Sequence, residues 1–148
     1  MSISSDFKLK KTILSKSMEE TESIGALIGK DLLAGQVIGL VGDLGAGKTC
    51  FTRGLFKGRN KDIKASVNSP TFVVMQRYLG DLIFYHADVY RMENKQEFLD
   101  LDLFEMAESG VLIVEWADKF LDVFNDKVMI IEFIHQSENE RLIRFYQK

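Results

Sequence analysis

The sequence is poor in the features that staple or anchor a chain. Its 148 residues include one cysteine, one proline and one tryptophan. Cys50 has no internal partner, which excludes a disulfide framework and suits a reducing compartment. No apolar run approaches the roughly 18 residues that cross a bilayer; Val111-Leu112-Ile113-Val114 is about as dense as the chain becomes. Lys8, Lys10 and Lys11 precede no apolar stretch of the kind a secretory signal carries, and Asp6, Glu19 and Glu20 are out of place in a transit peptide. The expectation is a cytoplasmic protein without membrane association. An excess of positive charge is missing too: 19 Lys and Arg stand against 22 Asp and Glu, a net of −3. A nucleic-acid glove needs a strongly basic face, so direct and extensive binding of a phosphate backbone is not expected. There is no internal repeat, no low-complexity tract and no Pro/Gly/Ser linker, and the length suits one domain over residues 1–148.

What is present reads as alternating strands and helices. Phe7, Leu9 and Lys11 alternate with Lys8 and Lys10, as in a charged edge strand. Ser17 with Glu20 forms a capping box, followed at helical spacing by Ile24, Leu27, Ile28 and Leu32, with Gly35 as the expected stop. The run from Gln36 to Val41 is too short for a helix and reads as a buried strand; a helix burying Phe51 and Leu55 begins near Lys48 and ends near Gly58. Residues from Arg59 to Ser69 are loop-like. Thr71 to Tyr78 and Leu82 to Tyr90 read as strands joined by a turn at Leu79-Gly80-Asp81. Asn94 and Glu97 cap a helix carrying Phe98 and Leu101, and Gly110 closes that helical region. Val111 to Val114 is a second buried strand, and Val128 to Ile134 with Leu142 to Tyr146 form a terminal hairpin. The fold class expected is α/β: a mainly parallel central sheet with antiparallel hairpin additions and flanking helices.

Between the first buried strand and its helix lies Gly42-Asp43-Leu44-Gly45-Ala46-Gly47-Lys48-Thr49, an unbroken match to G-x-x-x-x-G-K-[ST], the phosphate-binding P-loop of an NTPase domain. The glycines allow successive backbone N–H groups to turn toward a phosphate, and the following helix N-terminus adds partial positive charge. Lys48 is placed to reach β- and γ-phosphates, and the Thr49 hydroxyl to ligate Mg²⁺. Composition alone produces such a match in about one chain in two hundred of this size.

A phosphate loop needs a carboxylate for its metal at the end of a neighbouring buried strand. Val111 to Val114 ends on Glu115, the candidate, holding Mg²⁺ directly or through water; the competing reading is a strand-end Glu facing solvent. Trp116 is either a core residue or a ligand contact. Ser69-Pro70-Thr71 is either a γ-phosphate sensor or, more simply, a proline turn into a strand. Alternation places His86, Asp88 and Tyr90 on one face, where Asp88 either orients an attacking water or stands behind a metal ligand. Arg91 beside them suits a carboxylate or a phosphate, and a solvated strand face competes with the whole reading.

These four elements together resemble the TsaE family, small P-loop ATPases of tRNA threonylcarbamoyladenosine biosynthesis. The resemblance rests on the Gly42 to Thr49 motif, Ser69-Pro70-Thr71-Phe72, His86-x-Asp88-x-Tyr90-Arg91 and Glu115-Trp116, and covers roughly residues 17 to 118. It implies a protein that binds ATP and Mg²⁺, hydrolyses ATP weakly alone, and works with the TsaB–TsaD complex that modifies adenosine 37 of tRNAs reading codons beginning with A. It implies that tRNA is met through that complex. By similarity Thr49 and Glu115 hold the metal, Lys48 and Asp88 support hydrolysis, and the nucleotide is contacted by Asp43, Leu44, Gly45, Ala46, Gly47, Lys48, Thr49 and Cys50. Trp116 lies near it, Thr71 senses the γ-phosphate side, and Thr21 falls where the family has a Thr near the base. Cys50 stands where Thr is commoner and Ala87 where a larger apolar residue is usual. After Asp118 only a general strand pattern agrees.

A GTPase is excluded: Asn94-Lys95-Gln96-Glu97 lacks the aspartate of a guanine reader, and no Asp-x-x-Gly switch occurs. A small-molecule kinase uses the same loop but carries an arginine-rich lid, and here Arg59, Arg77, Arg91, Arg141 and Arg144 are scattered. A nucleotide-gated binding module with incidental hydrolysis is the third class.

Overall fold

The computed structural model describes residues 3–43, 46–60 and 75–148. The chain runs β1 (Lys8–Ser15), α1 (Met18–Gly29), β2 (Val37–Gly42), α2 (Lys48–Arg59), β3 (Met75–Tyr78), β4 (Phe84–Asp88), α3 (Lys95–Asp100), α4 (Leu103–Met106), β5 (Val111–Glu115), β6 (Met129–His135) and β7 (Arg141–Gln147). The strands form one sheet ordered β1-β7-β6-β2-β5-β4-β3. Its centre is parallel, with β2 between β5 and β6 and β4 beyond β5. The edges are antiparallel, β7 and β1 on one side and β3 on the other. The expected α/β class with hairpin additions is what the chain adopts. Strands β2 and β5 are apolar because both faces of a parallel sheet are covered. One face carries α1, α2 and a core of Phe51, Leu55, Phe56, Phe84 and Phe133. The other carries α3, α4 and the 3₁₀ turns of Ala117–Val123, packed on Phe98, Leu112, Val114 and Phe124. Among the described residues no helix is long and apolar enough to cross a membrane.

The caps fall where the side-chain chemistry requires them. Ser17 Oγ accepts from Glu20 N at 3.0 Å and Asn94 Oδ1 from Glu97 N at 3.1 Å. The apolar stripe of α1 departs from expectation. Leu27 is 64% exposed, and the face turned to α2 holds Gly25 and Gly29. A Cβ built at Gly25 would fall 2.4 Å from Phe51 O, and one at Gly54 would fall 2.1 Å from Glu22 O. The two helices touch backbone to backbone through small residues, an approach no apolar side chain permits.

Other local expectations shift for similar reasons. Helix α1 ends at Gly29, capped by Lys30, and Gly35 (φ +93°) instead turns the chain into β2, its N–H donating to Gly110 O at 2.7 Å. Leu9 is exposed because β1 is an edge strand whose outward face has no helix over it. Leu101 follows α3 as its C-cap and is exposed. Strand β4 stops at Asp88, so Tyr90 lies beyond it. The Ser69-Pro70-Thr71-Phe72 segment and the start of the strand expected from Thr71 lie outside the described residues.

Candidate functional site

The site gathers where the carboxyl ends of β2, β4 and β5 meet the N-terminus of α2, the crevice position at which open α/β sheets bind ligands. β2 delivers Gly42, and the chain enters α2 through Gly47, whose φ of +102° suits glycine. Leu44 and Gly45 lie outside the described residues, Asp43 is exposed and Ala46 is buried. Helix α2 has no acidic residue in its first turn and no side-chain cap. Its positive end is therefore uncompensated from within the helix.

Lys48, the first helical residue, is buried, and its Nζ donates to Gly42 O at 2.7 Å. The ammonium stands 4.0 Å from Glu115 Oε1 and 4.3 Å from the centroid of the Trp116 ring. Burial lowers its proton affinity, against the pull of Glu115, Asp88, Asp118 and Asp43. Thr49, next along the first turn, is half-buried; Cys50 is buried, its Sγ donating to Gly47 O at 3.3 Å, and burial pushes its thiol pKa up.

Glu115 ends β5 in register with Leu40 of β2 and Asp88 of β4. At 4% exposure it does not face solvent. Its Oε2 lies 2.8 Å from His86 Nε2, His86 Nδ1 lies 3.1 Å from the Tyr78 hydroxyl, and that hydroxyl donates to Gln76 Oε1 at 2.9 Å. The carboxylate is thus anchored on one oxygen by a chain crossing β4 and β3, while its other oxygen is turned toward Lys48. His86 is fully buried, so β4 offers no solvated face there. Sequence reasoning placed His86 beside Asp88 but missed this contact, because residues on neighbouring parallel strands have no fixed spacing in the chain.

Asp88 is half-buried, and its Oδ1 accepts from Tyr90 N at 2.9 Å. Burial raises its pKa, and the Tyr90 hydrogen bond works the other way. Trp116 adopts φ +63° as the chain leaves β5, and its ring lies 4.7 Å from that of Tyr90, which is 57% exposed. Lys119 braces this corner by donating to Tyr90 O. Asp118, also missed from the sequence, has a pKa raised by burial and a buried Oδ1 without a hydrogen-bond partner.

The remaining candidates separate from this cluster. Thr71 falls outside the described residues. Thr21 is buried in α1, its hydroxyl 2.6 Å from Ser15 Oγ and donating to Ser17 O at 3.1 Å. Ser15 pairs in register with Arg141, and Arg141 lies against Gly47. Thr21 thereby belongs to the far flank of the glycine loop, on the β7 side. Arg91 is exposed. No group of three or more His, Cys, Asp or Glu poised to hold a metal occurs among the described residues. The available oxygens, Thr49 and Glu115, instead suit a hard cation that is shared with phosphate.

The comparisons with known proteins agree with this layout. The family model described as threonylcarbamoyl adenosine biosynthesis protein TsaE matches residues 15–143. The match continues past Asp118, through β6 and into β7. The tRNA threonylcarbamoyladenosine biosynthesis protein TsaE of Bacillus subtilis is 41% identical over 128 residues, 86% of this chain and 79% of that one. The protein of the same name from Aquifex aeolicus is 35% identical over 144 residues, 95% of this chain and 99% of its own. The crystal structure of Bacillus subtilis YdiB superposes with a TM-score of 0.71 at 31% identity, covering 95% of this chain and 87% of that chain. The chain belongs to the TsaE family of threonylcarbamoyladenosine biosynthesis proteins.

Proposed function

We propose that this chain is a Mg²⁺-dependent ATPase that supports formation of the threonylcarbamoyl group on adenosine 37 of tRNAs reading ANN codons. It acts with a TsaB–TsaD-type complex, through which tRNA is met indirectly. The observation that carries the reading is the placement of the buried Lys48 ammonium at the N-terminus of α2, 4.0 Å from the buried Glu115 carboxylate. That pair, over a glycine turn, suits a polyphosphate and its metal and little else.

The donor set fits the cation. Thr49 and Glu115 are the residues that would hold Mg²⁺, both offering hard oxygen, and Glu115 is held by His86 so that one oxygen is turned inward. The metal's part is to neutralise charge on the β- and γ-phosphoryl oxygens. Lys48 binds the same oxygens, and its partial desolvation strengthens the attraction. Asp88, a half-buried carboxylate with raised proton affinity, takes the proton of the attacking water. Trp116 and Tyr90 wall the site, and the indole reports occupancy. Productive turnover then occurs in the complex, a reading supported by the weak hydrolysis that the family resemblance implies for the chain alone.

The test uses the one tryptophan of the chain. Titration with ADP and Mg²⁺ should change its emission and give saturable heat in calorimetry. An unchanged spectrum together with no heat would overturn the reading. Adding the chain and ATP to the TsaB–TsaD enzymes should then sustain repeated rounds of tRNA modification.

A further inference from the structure

Charge is spread unevenly along the chain. Residues 93–108 carry six carboxylates, Glu93, Glu97, Asp100, Asp102, Glu105 and Glu108, against Lys95 alone, so this stretch is net −5 and the remaining residues are net +2. All six acids are exposed. Lys95 is already committed, its Nζ 2.8 Å from Asp122 Oδ2, and none of the six acids forms an ion pair with a described residue. Apolar side chains stand among them: Leu99, Leu101 and Met106 are 41%, 39% and 37% exposed. Asp102, at φ +52°, breaks the chain between α3 and α4, so the apolar spacing through Phe98 does not continue and Leu101 is left outside the core. The surface is firmly backed. Phe98 is buried with its ring 5.4 Å from that of Phe104 and 6.0 Å from that of Phe124, and the Lys95–Asp122 pair ties α3 to the turns that follow Trp116.

Exposed apolar groups within a charged rim mark an interaction surface rather than a solvated helix face. A concentration of carboxylates repels phosphates, which excludes RNA and an anionic membrane as the occupant. A second copy does not cover the surface symmetrically, since the same six acids would face each other. The chemistry favours a protein that brings cations to the rim and an apolar socket to the centre. We propose that α3 and α4 form a docking surface, with Leu99, Leu101 and Met106 as its apolar centre, for a partner protein presenting lysine or arginine around an apolar socket. In the reading above that partner is the TsaB–TsaD-type complex, and the assignment rests on that partnership. The surface contains none of the residues assigned to the nucleotide or the metal, so docking and nucleotide binding are measured apart.

Surface plasmon resonance of the full chain on immobilised TsaB–TsaD enzymes reads this contact. Leu101→Ser with Met106→Ser should raise the dissociation constant about tenfold or more, chiefly through faster dissociation. Asp100→Asn with Glu105→Gln should slow association about threefold and flatten its decline with rising salt. Both variants should keep the wild-type response of Trp116 emission to ADP. Wild-type kinetics in either variant would overturn this assignment alone. A wild-type chain that binds ADP but not the complex would overturn the partnership and this proposal together, while leaving the ATPase reading in place. Should the variant at Leu101 and Met106 fail to unfold cooperatively, the charge variant carries the test, an unchanged association rate overturning the proposal. Concentration-dependent self-association of the wild type, lost in the charge variant, would give the surface to a second copy and overturn it as well.

Discussion

The two flanks of the glycine loop are built in opposite ways. On the β5 side the charges are paired within the protein: Lys48 faces Glu115, and Glu115 is tied through His86 to Tyr78. On the β7 side Arg141 is buried with two donors unpaired. Buried ionic groups that satisfy one another hold a geometry in the absence of ligand, whereas an unsatisfied one costs stability until an anion arrives. The first flank thus holds its geometry through its own pairs, and the second keeps buried donors without a partner. The pairing also explains how four carboxylates gather around one lysine, since their attraction for Lys48 opposes the burial that would otherwise strip its proton.

The contrast makes predictions of decreasing size. The largest concerns turnover. Glu115→Gln keeps the size of the side chain but removes the charge on the paired flank, and steady-state ATP hydrolysis should fall about 100- to 1000-fold while EDTA-measured ADP affinity stays near wild type. Turnover at the wild-type rate would remove Glu115 from the metal site and dissolve the distinction between the flanks.

A smaller effect follows from the anchor. His86→Phe leaves a buried carboxylate oxygen of Glu115 without its imidazole, which costs about 1–3 kcal/mol, and thermal unfolding should show a melting point lowered by roughly 3–10 °C. An unchanged melting point would mean that the chain from Glu115 to Tyr78 holds nothing in place.

The smallest is a pH effect at Asp118. Burial raises its carboxyl pKa in the folded chain above the unfolded value, so the folded state binds the proton more tightly. Its contribution to stability is then largest in acid and is lost as pH climbs from the ordinary carboxylate range through the raised value. Asp118→Asn should melt higher than wild type at pH 7, with the difference shrinking toward acid pH. A difference that grew in acid would reverse the sign and show Asp118 to be stabilised by Lys48 more than it is penalised by burial.

Much of this was legible in the residue order. The phosphate motif lies between β2 and α2, the caps at Ser17 and Asn94 form as their spacing requires, and Glu115 closes a buried strand. These are local features, set by turn chemistry, capping and hydrophobic period within a few residues. The glycine seam of α1 and α2 was not legible, because the apolar spacing through Leu27 suggested an ordinary greasy stripe. Only the close approach of a second helix makes Gly25 and Gly54 the buried positions.

The sequence by itself determined the order of strands and helices, the glycine motif between β2 and α2, and the acid that ends β5. Tertiary structure alone decided the partners: that His86 of β4 holds Glu115 of β5, and that Arg141, opening the last strand, reaches the loop that follows β2. The physical reason is strand order. Placing β2 between β5 and β6 sets side chains from distant parts of the chain a few ångströms apart, and no local propensity encodes which strands become neighbours.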